Sequence, residues 1–109
     1  MAGLNITNAC ALFSYSQESE CVGPANYYAG QRMCTTTGIA CQRWSSQNPH
    51  KHNFTNGAMF PEKSVTAAAA YCRDPNNIHG NPWCFTQDSN ITWEYCDIPK
   101  CEGNILWIS

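Results

Sequence analysis

Apolar and polar residues follow one another along this chain without a sustained period. No window shows the spacing of a long amphipathic helix or the strict alternation of a long strand. The best helical stretch is Ser64-Val-Thr-Ala-Ala-Ala-Ala70, with Ser64 placed to cap it and four alanines of high propensity. It is too short to stand alone, so it predicts a single turn or plain loop. The clearest strands are Trp83–Gln87 and Thr92–Cys96, rich in aromatic and β-branched residues. Between them lies Asp88-Ser89-Asn90, a turn signature, so the pair predicts one short hairpin. No internal repeat is visible.

A chain so poor in regular elements cannot offset its ordering entropy by burial alone and needs cross-links. Composition supplies them. Eight cysteines fall in 109 residues, and residues 81–101 alone hold three, together with two tryptophans and two prolines. An even count in a small, loop-rich chain reads as a disulfide framework formed in an oxidising compartment. Eight cysteines allow 105 pairings, and spacing alone does not choose among them. Three Asn-x-Ser/Thr triplets, at Asn5, Asn53 and Asn90, point the same way, to a glycosylated secreted or cell-surface ectodomain.

Charge and length narrow the partners. The net charge is −2 with only six Lys and Arg, too few for the concentrated basic patch that phosphate binding needs, so nucleic acid is excluded. No run of 18 apolar residues exists, and no membrane insertion by this stretch is expected. The first residues, MAGLNITNACALFSYS, lack the basic and apolar regions of a secretory signal. Met1 reads as a start added to an excised fragment, and the terminal ILWIS as a cut in a longer chain. The expected organisation is a leader at 1–20, a domain at 21–101 and a tail or linker at 102–109.

The stretch from Cys21 to Cys101 resembles a kringle domain. The matching elements run in order: Tyr28-Ala-Gly30, Gly38-Ile-Ala-Cys41-Gln-Arg-Trp44, Pro49-His50, Phe60-Pro61, Tyr71-Cys72-Arg-Asp-Pro75, Pro82-Trp83-Cys84-Phe85-Thr86 and Tyr95-Cys96-Asp-Ile-Pro99-Lys-Cys101. They imply a small, disulfide-rich, mostly irregular fold with short β-hairpins. The resemblance also implies the pairing Cys21–Cys101, Cys41–Cys84 and Cys72–Cys96. Closing a loop of roughly 80 residues with the first of these is worth about 4–5 kcal/mol in the chain-entropy model. Cys10 and Cys34 remain, and their pairing would strap the leader to the domain. Within the family, the segments SSQNPHKHNFT, PWCFTQDSN and CDIPKC look most like the kringle of receptor tyrosine kinase-like orphan receptors and of muscle-specific kinase.

Candidate chemistry is sparse. His50, His52 and His79 could be imagined with cysteines around zinc, but the cysteines form no paired C-x2-C knuckles and bridged sulfurs do not ligate. No metal and no cofactor is expected. No activated nucleophile is suggested by local sequence, so no catalytic residue is assigned and no enzyme activity is expected of the domain. Aromatic residues say more. Trp44, Tyr71, Phe60 and Tyr28 read as core.

Trp83 and Trp93 match, by the same resemblance, the aromatic trough of lysine-binding kringles. There, two carboxylates hold a lysine ammonium and a basic residue holds a carboxylate. The acidic positions are Asn76 and Ile78 here and the basic one is Thr92, so free-lysine binding is not expected. For Trp83 and Trp93 two readings stay open: a partly exposed recognition surface, or a cover over the disulfides.

Three functions follow. The first is a non-catalytic extracellular module of a Wnt-type or synaptic receptor tyrosine kinase. It would serve protein contact or spacing, bind another extracellular protein or a neighbouring domain, and sit outside the plasma membrane or be secreted. The second is a lysine-binding kringle of a plasminogen-like protease or matrix adhesion protein, disfavoured by Asn76 and Ile78. The third is a stand-alone secreted disulfide protein.

Overall fold

The computed structural model describes residues 20–101. Its one regular sheet is the expected hairpin: β1 (Trp83–Phe85) runs antiparallel to β2 (Trp93–Tyr95), pairing Trp83 with Tyr95, Cys84 with Glu94 and Phe85 with Trp93. Each strand is shorter than the sequence predicts, but hydrogen bonding goes one residue further at each end. Thr86 N–H donates to Thr92 O (3.1 Å) and Cys96 N–H to Pro82 O (3.0 Å). Asp88 makes the turn, its carbonyl accepting from Ile91 N–H (3.0 Å) and its Oδ1 from Asn90 N–H (2.8 Å).

Ser64–Ala70 is a run of turns. Ser64 Oγ accepts from Ala67 N–H (3.0 Å), as a cap would, but the following bonds are mostly of the i→i+3 kind. Ala69 takes a positive φ of 47°, and its carbonyl accepts from Trp44 N–H (2.8 Å). A tertiary contact thus overrides alanine's helical propensity, since so short a segment has no nucleus of its own. Three 3-10 turns, Pro24–Asn26, Gly57–Met59 and Pro75–Asn77, complete the regular backbone among the described residues.

Disulfides join Cys21 to Cys101, Cys41 to Cys84 and Cys72 to Cys96, the pairing that the resemblance implies. The first draws the two ends together, and Val22 backs it by donating to Pro99 O (2.8 Å) and accepting from Cys101 N–H (2.9 Å). The other two cross at the centre, where their four sulfurs lie within 4.8 Å of one another. Around this knot pack Trp44, Phe60, Ala68, Trp83 and Phe85, all buried. Trp44 meets Trp83 and Phe60 edge-on at 5.2 and 5.3 Å. The fourth expected bridge involves Cys10, which lies outside the described residues, as do Asn5, the rest of the leader and the 102–109 tail; Cys34 itself is buried and disulfide-bonded.

One buried charge is built in. Arg73 lies between the rings of Tyr28 and Tyr71, with Cζ 5.6 and 5.2 Å from their centroids. Its guanidinium forms an ion pair with Glu62 and donates to Gly30 O (2.9 Å) and Cys72 O (2.7 Å). A Cβ at Gly30 would fall 2.5 Å from both the Glu20 carboxylate and the Tyr28 hydroxyl, so a larger residue would displace the hydrogen bond between them. Tyr28 donates that hydroxyl to Glu20, and burial, then this bond, pushes the phenol pKa well above its ordinary value. Glu20, the last residue of the expected leader, is therefore anchored to the domain.

Candidate interaction site

The hairpin and the loop before it build one aromatic face. In β2, Trp93 and Tyr95 stand two residues apart and so share a side of the strand. They are 36% and 42% exposed, and their rings meet edge-on at 5.1 Å. The loop from Asp74 to Gly80 adds His79, whose ring stacks on Trp93, and beside it in sequence Ile78 is 51% exposed. Asp74 shapes that loop: its carboxylate accepts from His79 N–H (3.0 Å), Gly80 N–H (2.8 Å) and the Trp83 indole N–H (3.0 Å). Gly80 turns the chain at φ 82°, a conformation that costs a glycine little.

Trp83 does not belong to the exposed surface. It is 1% exposed, with Phe85 at 5.1 Å, Trp44 at 5.2 Å and Phe54 at 5.6 Å around it and His79 over its edge. The open choice between recognition surface and cover thus resolves differently for the two tryptophans. Trp83 is core because rings from distant segments, Trp44 and Phe54, and His79 from the preceding loop close over it. Trp93 keeps an open face. Tyr95 is the member that sequence reasoning missed. The i, i+2 relation of Tyr95 to Trp93 was the available signal.

The face carries aromatic and aliphatic contact area without an anionic end. Asn76 and Ile78 are exposed and uncharged, and neither can neutralise an ammonium. Three carboxylates of the surrounding segments are held in hydrogen bonds. Asp74 is held by its three N–H donors, Asp88 by its own turn, and Glu94 accepts from the Thr37 hydroxyl (2.8 Å). Thr92 is exposed and uncharged. A second hollow of about 320 Å³ opens beside exposed Tyr27, lined mostly by neutral groups such as Met59, Asn76 and Asn77.

The histidines considered for zinc serve the scaffold. His52 Nδ1 accepts from Phe54 N–H (3.0 Å), so Nε2 carries the proton and donates to Ser46 O (2.9 Å). His50 Nε2 donates to Asp88 O (3.0 Å), tying its loop to the hairpin turn. The one compact set of metal-type ligands among the described residues is Cys41, Cys72, Cys84 and Cys96, whose sulfurs are spent in disulfides. Asn53 and Asn90 are exposed, as are the threonines of their triplets, Thr55 and Thr92.

A disulfide knot with a short hairpin and an uncharged aromatic face defines a small module built for contact rather than reaction. The family model described as "Kringle domain" matches residues 21–101, and the chain belongs to the kringle family. Kringle domains are non-catalytic modules that mediate protein–protein interactions, and disulfide-rich kringles are typically extracellular. No helix among the described residues is long and apolar enough to cross a membrane.

Proposed function

We propose that this kringle is an extracellular contact or spacer module of a cell-surface receptor tyrosine kinase of the Wnt or synaptic type. It meets an extracellular protein, or a neighbouring domain of its own chain, through Ile78, Trp93 and Tyr95. The observation that carries the reading is the uncharged character of this face: its rings are exposed while Asn76 and Ile78 stand in place of acids. Tryptophan and tyrosine suit such a role, being rigid and rich in contact area. On this reading Asn5, Asn53 and Asn90 carry glycans, Cys10 pairs with Cys34, and the domain binds no free lysine.

The complete reading frame of the parent transcript tests the receptor context. A single membrane span followed by a tyrosine kinase domain is expected; a trypsin-like protease domain overturns the reading. Intact mass before and after glycosidase treatment, on protein made by a secretory cell, tests the glycans, with a mass decrease expected. Peptide mapping under non-reducing conditions tests the fourth bridge, and a free thiol on Cys34 refutes it.

A further inference from the structure

The imidazole of His79 lies flat on the indole of Trp93, with centroids 4.2 Å apart and planes 10° from parallel. It meets Trp83 edge-on at 4.7 Å and 68°, and Tyr95 at 6.0 Å and 77°. One small planar ring is thus held by three larger ones, with Trp83 as floor and Trp93 and Tyr95 as walls. The backbone delivers it there: Asp74 captures the N–H groups of His79 and Gly80, and the Tyr95 hydroxyl donates to His79 O at 3.5 Å. Stacked and edge-on contacts at these separations are the favoured geometries of aromatic pairs.

We propose that His79 is a built-in ligand. Its imidazole fills a ring-binding site made by Trp83, Trp93 and Tyr95, and that site takes a free planar heteroaromatic ring once His79 is removed. Removing a packed ring from a preformed apolar seat leaves a cavity that small apolar molecules enter, because its walls relax only in part. With the plug in place, the side of Trp83 towards Trp93 is closed. A partner then meets the outer surfaces of Trp93, Tyr95 and Ile78 and does not insert between the two tryptophans. The ring geometry carries this whatever protein the domain belongs to.

The test is chemical rescue with imidazole as the probe. The His79→Gly chain, disulfides intact, is titrated with imidazole at millimolar concentrations and followed by tryptophan fluorescence and by the indole N–H resonances of Trp83 and Trp93. Saturable binding at least about tenfold tighter than any response of the unsubstituted chain is expected, a difference of about 1.4 kcal/mol. His79→Phe, whose ring refills the seat, is expected to give no such response. A folded His79→Gly chain that responds no more than the unsubstituted one overturns the proposal, as does equal binding by His79→Phe. Should His79→Gly fail to fold, the unsubstituted chain decides: ring current from Trp93 should move the His79 ring protons upfield, and ordinary shifts contradict the seat.

Discussion

Trp83 and Trp93 come from paired strands of one hairpin, their rings 5.5 Å apart, yet they live in opposite surroundings. All three residues of β1 are buried, whereas β2 exposes both of its aromatics. The difference lies in what each strand is tied to. In β1, Cys84 is bridged to Cys41, and Trp83 exchanges backbone hydrogen bonds with Arg73 at 2.8 and 3.0 Å. In β2, the residue opposite Cys84 is Glu94, which reaches the exposed hydroxyl of Thr37. Trp83 is closed in by Trp44, Phe54 and Phe85, whereas Trp93 keeps one side open. One strand becomes the core and the other becomes the surface.

The largest effect should come from cutting β1 loose. Replacing Cys41 and Cys84 together by alanine opens a 43-residue loop, worth about 4 kcal/mol in the chain-entropy model. Loss of cooperative thermal unfolding is expected, and calorimetry or circular dichroism would show it. Next comes Trp83→Ala, which should cost about 3–5 kcal/mol in denaturant unfolding, as large-to-small changes in a packed core do. A smaller cost is expected for Glu62→Gln, because Arg73 loses its carboxylate partner but keeps the carbonyls of Gly30 and Cys72. Trp93→Ala should cost clearly less than Trp83→Ala, because one side of its ring is already open to water. Were Trp93→Ala as damaging as Trp83→Ala, the division between core strand and surface strand would be wrong.

Much of this fold was legible because local signals agreed. Asp88-Ser89-Asn90 announced the turn, and the aromatic and β-branched runs on either side announced the strands. The brevity of Ser64–Ala70 announced that no helix would persist. The cysteine pairing was different, since spacing left it open and only the resemblance to kringles chose. The site was half legible. That Asn76 and Ile78 stand where an anionic end would need acids came from the resemblance to kringles and not from the pattern along the chain. The burial of Trp83 could not be read, because it depends on Phe54 and Trp44 from distant segments and on His79, delivered by hydrogen bonds to Asp74. Nor could the Arg73–Glu62 pair, since nothing in the residues between them marks the two as partners. Both depend on three-dimensional closure, and the pattern along the chain is silent about it.

The most direct test of the account is a titration with 6-aminohexanoate, whose ammonium and carboxylate mimic a free lysine. An ammonium held by two carboxylates gains charge-assisted hydrogen bonds of about 1.5–3 kcal/mol each, so their absence should weaken affinity by roughly two to four powers of ten. No shift of the Trp93 indole resonance is expected from the unsubstituted chain at millimolar ligand. The double change Asn76→Asp with Ile78→Asp should restore binding in part only when His79→Gly also opens the site, limited by the uncharged Thr92. Saturable binding by the unsubstituted chain would contradict the uncharged face on which the receptor-module reading rests.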